Sequence, residues 1–409
     1  MTQAQILQGI RVLDLSRIVA APMATQILGD MGAEVIKVER PGQGDDARRY
    51  GPVFAVDQES GAPGDSAFFL ACNRNKQSIT IDISKPAGQE LVRQLVTRCD
   101  VLVENYKVGD LAGYGLDYES LKAINPGLIY CSVTGYGQTG PYAPRPGLDI
   151  IFQAQSGLMS VTGKPDGEAG AGPQQVGLVA IDLLTGHNAA IAILAALLHK
   201  ERTGEGQAID LALFDSAVAF MSHAAQQFLL SGIAPQRHQT MGVPLGPAEV
   251  LECTDGPVHI LGSRDASFAA ICRVLGRMDL IDDARFKTGA DRFRNRLVLR
   301  ETLAALVSPW KRQALLDALG AAGATAGAVN SVADVFDDPQ VKARSMAQSV
   351  PSSRYGDLPV VGSPFRFSAT PVRYERAPPQ LGEHTSSILS DMLGLGELQI
   401  DALRKQGVI

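Results

Sequence analysis

Tryptophan occurs once and cysteine five times in 409 residues, and the cysteines are scattered. Cys72, Cys99, Cys131, Cys253 and Cys272 form no CxxC pair and no cluster with histidine at metal-ligand spacing. That argues against a metal site or a disulfide framework, and for buried free thiols in a reducing compartment. A surplus of basic residues is also missing. The 37 Lys and Arg stand against 43 Asp and Glu, a formal net charge of −6, so neither nucleic acid nor an anionic membrane is expected as a partner. The opening "MTQAQILQGIRVLDLS" has neither the basic region nor the long apolar core of a signal peptide, and no later run reads as an uninterrupted membrane span, so the expected location is the cytoplasm. Four motifs are absent as well. Without GxGxxG after the first strand NAD and FAD are disfavoured, without GxxxxGK[ST] a P-loop nucleotide hydrolase is, and without GxSxG or HExxH the commonest serine hydrolases and zinc peptidases are too.

What is present is alternation. "IRVLDLS", "APMATQILGDMG" and "AEVIKVE" have the length and pattern of a βαβ unit, and "SITIDIS", "PAGQELVRQLVTRC", "DVLVENY", "DYESLKAINP" and "LIYCSVTGYG" repeat it. Strands alternating with helices predict an α/β fold with a mostly parallel, Rossmann-like sheet covered on both faces. A long helix is read through "LLHKERTGEGQAIDLALFDSAVAF". Beyond it a glycine- and proline-containing stretch, "SGIAPQRHQTMGVPLGPAEV", interrupts the pattern, and a second, smaller region follows.

In such a sheet a ligand sits beyond the carboxyl ends of the strands. The tips there are "SRIVAAP", "ERPGQGDDARR", "ENYKVG" and "TGYGQTGPY". Their glycines permit close backbone approach, and Arg17, Arg40, Arg48, Arg49 and Lys107 are of the type that pairs with phosphate.

One carboxylate stands out. In "VGLVAIDLLTGHNAAIAILAALL", Asp182 heads an almost entirely apolar run. An acid there must be hydrogen-bonded, paired or neutralised. It reads either as the N-cap of a helix beginning near Leu183 or as a reactive group.

Several segments together resemble the class III CoA-transferases: "VLDLSRIVAAPMATQILGDMGAEVIKVERPGQGDDAR", "NRNKQSITIDI", "VLVENYKVG", "SVTGYGQTGPYAPRPGLDIIFQAQSGLMSVTG", "DLLTGHNAAIAILAALLHKERTGEGQAIDLAL" and "PQLGEHTSSIL". They span almost the whole chain, and the appearance is nearest to the succinate-hydroxymethylglutarate CoA-transferase type. The resemblance implies that Asp182 is a nucleophile forming an aspartyl anhydride and then an aspartyl-CoA thioester, with helix N-terminal amides keeping it ionised. It implies coenzyme A, as an acyl-CoA substrate, across the strand tips, and no metal. Ile18, Val19 and Ala20 would meet it by backbone, Arg40 at phosphate, and Asn105 with Tyr106 at the adenosine or pantetheine. Arg17, Asn73, Arg74, Lys76, Lys107, Tyr136 and Gly137 are further expected contacts. Gly113 occupies a position where formyl-CoA transferase has arginine, and Lys107 is the substitute.

For the substrate loop, Arg237, His238, Gly242 and Gly246 are the expected residues, the glycines as hinges and the cations for a second carboxylate. Succinyl-CoA as donor and a C4 to C6 dicarboxylic acid as acceptor are expected. An α-methylacyl-CoA racemase is the first rival, but Leu148 stands where its "GHDIN" element has histidine, and leucine carries no proton. A CoA-binding protein without catalysis and an acyl-CoA hydrolase are the others. His187 is read as structural. The implied architecture is a large domain over residues 1–224, a smaller α+β domain over 225–325, a segment over 326–409 returning to the large domain, and an interlocked homodimer.

Overall fold

The computed structural model describes residues 5–237 and 246–409. Six strands form one sheet: β1 (Arg11–Asp14), β2 (Glu34–Glu39), β3 (Lys76–Thr80), β4 (Val101–Glu104), β5 (Ile129–Thr134) and β6 (Ala208–Ala212). Every neighbouring pair is parallel, in the order β3-β2-β1-β4-β5-β6. The strands are apolar almost throughout because helices cover both faces: Leu13 and Ile36 are fully buried in register with one another, as are Leu13 and Leu102. The direction of winding reverses between β1 and β4. Their tips therefore diverge and leave a crevice, the place where doubly wound sheets receive ligands.

Of the first five strands, four lie where the sequence predicts them, and the third, read from "SITIDIS", runs earlier, over Lys76–Thr80. The sixth is not predicted, because the run from Leu197 reads as one helix. Helix α4 (Ala180–Thr203) stops at Gly204, whose φ of +79° is left-handed. Gly206 then passes so close to Leu128 that an added Cβ would lie 2.1 Å from that carbonyl oxygen. Only after these two glycines does the chain extend into β6 and turn into α5 (Leu213–Phe220).

By length and composition α4 is apolar enough to cross a membrane. Here it is a packed helix: Ile181, Ala189, Ala190, Ile193 and Ala196 are buried, and it lies along α1 (Ala20–Asp30). Gly186 makes that contact possible, since an added Cβ would meet the Ala20 carbonyl oxygen at 2.5 Å.

The chain divides into two compact units. The first comprises the chain up to Ser156 with Val176–Met221 and Gln340–Ile409, so the C-terminal segment adds to the sheet-bearing unit. The second comprises Gly157–Gln175 and Ser222–Pro339, with an antiparallel sheet of Ala248–Cys253, Gly256–Leu261 and Thr325–Ala328 over a core that includes Phe268, Ile271, Leu299 and Leu315. The segment 157–175 thus joins the smaller unit, although its position in the chain had placed it in the larger. All five cysteines are buried and free, as read from their spacing.

Candidate active site

The tip of β1 is built on buried charge. Asp14 accepts from Ser16 Oγ (2.5 Å), Thr25 Oγ1 (2.6 Å) and Lys76 Nζ (3.0 Å), all inside the protein. Lys37, fully buried, pairs with Asp45 at 2.9 Å and donates to Ser16 O. Such pairs are tolerated only when every polar atom has a partner, and these do. Their effect is to fix Ser16 and the two residues after it.

Ile18 has φ +74°, an unfavourable conformation for a β-branched residue. Two side chains impose it. Asn105, just past β4, accepts from Arg17 N at 2.9 Å and donates to Arg17 O at 2.7 Å, while Asp45 accepts from Ile18 N at 3.1 Å. The crevice between β1 and β4 is thereby bridged, and α1 begins at Ala20 with no side chain capping it. Arg17 lies 5.2 Å from the Tyr106 ring centre and 3.5 Å from Asp46, and its buried Nε has no hydrogen-bond partner among the described residues.

Asp182 is the third residue of α4 and does not cap it. The backbone amides of Ile181 and Asp182 both donate to Asp149 Oδ2, at 2.6 and 3.0 Å. Asp149 is itself buried in the first turn of α3 (Asp149–Gln155), where its other oxygen accepts from Gln153. The expectation that helix amides keep Asp182 ionised is therefore overturned: those amides are already taken. Burial first, and the Asp149 carboxylate second, push the Asp182 carboxyl up to about 7.

Asp182 lines a cleft of about 350 Å³. Arg17, Ile18, Val19, Ala20, Asn105, Tyr106 and Lys107 share it, as do Gly135, Leu213 and the loop from Ala143 to Leu148. Seven predicted cofactor residues and the predicted nucleophile thus meet in one place. An adjoining cleft of about 440 Å³ holds Arg40, with Arg17 and Tyr106 on both. Among the described residues Arg40 is hydrogen-bonded to Gln43 alone and keeps most of its donors available to a ligand.

Other predicted contacts lie elsewhere. Arg48 is buried between Glu39 and Asp65 and donates to Pro379 O, so it is not free for phosphate, and the exposed Arg49 pairs with Asp46 and lines neither cleft. Asn73 is buried and bonded to Phe69 O and Lys76, Lys76 belongs to Asp14, and Arg74 pairs with Asp30 at 2.5 Å. These three hold the interior together. Tyr136 packs against Tyr142, Phe152 and Phe214 and donates to Gln155, and Gly137 N donates to Thr134 Oγ1, so both shape the 135–147 loop from outside the cleft. His187 Nδ1 donates to Leu183 O at 2.8 Å, and the residue lines a different cavity, of about 650 Å³, with Met23, Gln26 and Tyr355. Arg237 is bound within the second unit by Asp166 and by the carbonyls of Ser160 and Lys164. Gly246 is buried and its carbonyl accepts from Arg292. His238 and Gly242 lie outside the described residues.

Two residues were missed. Asp149 stands in "PGLDII", where an acid opening an amphipathic helix looks ordinary, and its partner is far away in sequence. Glu104, at the end of β4, is buried, accepts from Tyr106 N at 2.7 Å, and is pushed up to about 7 by that burial. Its signal was visible as an acid ending an apolar strand.

The sequence profile described as "CoA-transferase family III" matches residues 7–385. A succinate–glutarate CoA-transferase of Agrobacterium fabrum is 42% identical over 386 residues, 94% of this chain and 95% of its own. A succinyl-CoA:glutarate CoA-transferase of Homo sapiens is 38% identical over 414 residues, 100% of this chain and 91% of its own. The crystal structure of a CAIB/BAIF family protein from Brucella suis superimposes with a TM-score of 0.86 at 44% identity, over 95% of this chain and all of that one.

Proposed function

This chain belongs to CoA-transferase family III and is an enzyme of the CoA-transferase class, and from that premise we propose that it moves CoA from succinyl-CoA to a dicarboxylic acid through covalent intermediates on Asp182. The observation that carries the reading is the carboxylate of Asp182 in a cleft shared with the tips of β1 and β4. Glutarate in the names of relatives from two distant organisms favours a C5 diacid as acceptor.

An Asp182 oxygen attacks the thioester carbonyl carbon, the C–S bond breaks, and an anhydride and CoA thiolate result. The thiolate attacks the aspartyl carbonyl, the bond to the acyl group breaks, and the donor acid leaves as carboxylate. The incoming carboxylate reverses both steps. No net proton is consumed, and one difficult displacement becomes several easier ones. Water would hydrolyse the anhydride, which suits a partly buried acid at the head of an apolar helix.

CoA is assigned to the two adjoining clefts. Arg40, Arg17 and Lys107 supply its phosphate contacts, and the Ile18–Ala20 backbone lies along the arm that carries the sulfur. Racemisation is disfavoured because Leu148, which lines the cleft, cannot accept a proton. We further propose a cytoplasmic, interlocked homodimer. The sheet-bearing unit exposes Leu148, Ile151, Leu178, Ile191 and Phe220, large apolar side chains of the kind a partner chain would cover.

Incubation with succinyl-CoA and glutarate should yield glutaryl-CoA by mass spectrometry. Asp182→Asn should lower turnover on the order of 10³-fold. Undiminished turnover in that variant would refute the nucleophile.

A further inference from the structure

Arg145 lines the Asp182 cleft from the loop that ends in Leu148 and Asp149, and among the described residues no carboxylate pairs with it. The guanidinium lies 4.0 Å from the Tyr142 ring centre, and Arg145 N donates to Tyr142 O at 2.8 Å, so the residue is braced on its own turn. An exposed arginine with no counter-charge is ordinary on a surface. Arg145 is exposed too, but it lines the same cleft as Asp182, and its loop is tied to that residue through the bonds from Ile181 N and Asp182 N to Asp149.

The other cations of the cleft are committed differently. Arg17 sits over Tyr106 and reaches Asp46. Lys107 follows Asn105 and Tyr106 at the tip of β4, on the side assigned to CoA. The loop from Ala143 to Leu148 carries Arg145 as its one ionisable residue.

A diacid substrate poses a requirement that CoA transfer itself does not meet. One carboxylate becomes anhydride and thioester, while the other passes unreacted through every step. That second charge is preferred over an uncharged end only where the cleft lining offers it a counter-charge. A guanidinium answers it with two parallel N–H donors, a geometry that a lysine lacks. We propose that Arg145 holds the unreacted carboxylate of the dicarboxylic substrate and thereby sets the preference for diacids over monoacids of similar length. The assignment rests on the CoA-transfer reading above. It makes Arg145 a residue of substrate choice, with no part in making or breaking the thioester.

The test compares glutarate with valerate as acceptor, succinyl-CoA being the donor for both, in wild type, Arg145→Gln and Arg145→Lys. The ratio of the two kcat/KM values is the readout, because a donor effect or partial misfolding cancels in it. In Arg145→Gln the ratio should fall about tenfold or more, the loss falling on glutarate, and Arg145→Lys should restore part of it. A ratio within about twofold of wild type in Arg145→Gln would overturn the role of Arg145 alone. If wild type transfers CoA to neither acid nor to any other diacid, the functional reading fails, and this proposal with it.

Discussion

At the scale of the residue, Asp182 and Asp149 form a division of labour between two acids. Asp149 takes the helix amides that would otherwise stabilise a charge on Asp182, and its own carboxylate adds to the effect of burial. The result is a carboxyl raised to about 7, and in the proposed mechanism the attacking carboxylate form gains as pH rises through that value. The pH dependence follows in sign. Below that value kcat/KM should fall about tenfold per pH unit, and above it the profile should level. Asp149→Asn keeps an oxygen for Ile181 N but removes the charge, so the rising limb should move to lower pH. A limb that stays in place would mean burial alone sets the value. Asp182 could be singled out in the sequence because one acid in an apolar run contradicts its surroundings. Asp149 could not, since its role depends on an amide brought to it by the fold. Lys76 and Arg74 were misjudged for the same reason: as sequence they are cations beside a strand, and their counter-charges, Asp14 and Asp30, arrive only with the sheet.

At the scale of the element, the site depends on how closely α4 approaches α1. Gly186, one turn after Asp182, lies against the Ala20 carbonyl, and that oxygen belongs to backbone that cannot rotate away. Gly186→Ala should cost roughly 1–3 kcal/mol of stability. Because α4 would be displaced near its start, turnover should fall as well, measured by thermal melting and CoA-transfer rate on the same preparation. A variant that melts normally and works normally would show that the helices can part without consequence. Five strands were legible because a parallel sheet buried on both faces leaves apolar runs. The sixth was hidden because Gly204 and Gly206, which end the helix and permit the passage beside Leu128, stand in a short polar stretch between two helix-forming segments.

At the scale of the whole molecule, the reversal of winding between β1 and β4 decides where chemistry can occur. Asn105 bridges the two tips, and the strained Ile18 between them is held by bonds from both sides. Loop chemistry alone pointed to this edge of the sheet. Which cations reach it was not legible, because that depends on which ones the core consumes. The exposed apolar side chains of the sheet-bearing unit lead to a further expectation: on dilution the protein should sediment as a dimer to the lowest detectable concentration, with monomer appearing only on denaturation. A folded, active monomer at nanomolar concentration would contradict the interlocked arrangement.

The central claim is that Asp182 carries the acyl group and then CoA itself. Hydroxylamine intercepts activated acyl groups, so the protein should be mixed with succinyl-CoA and hydroxylamine, digested, and its peptides weighed. A hydroxamate at Asp182 that requires the thioester is the predicted result. An unmodified Asp182, across a panel of acyl-CoAs shown to bind, would contradict the covalent account.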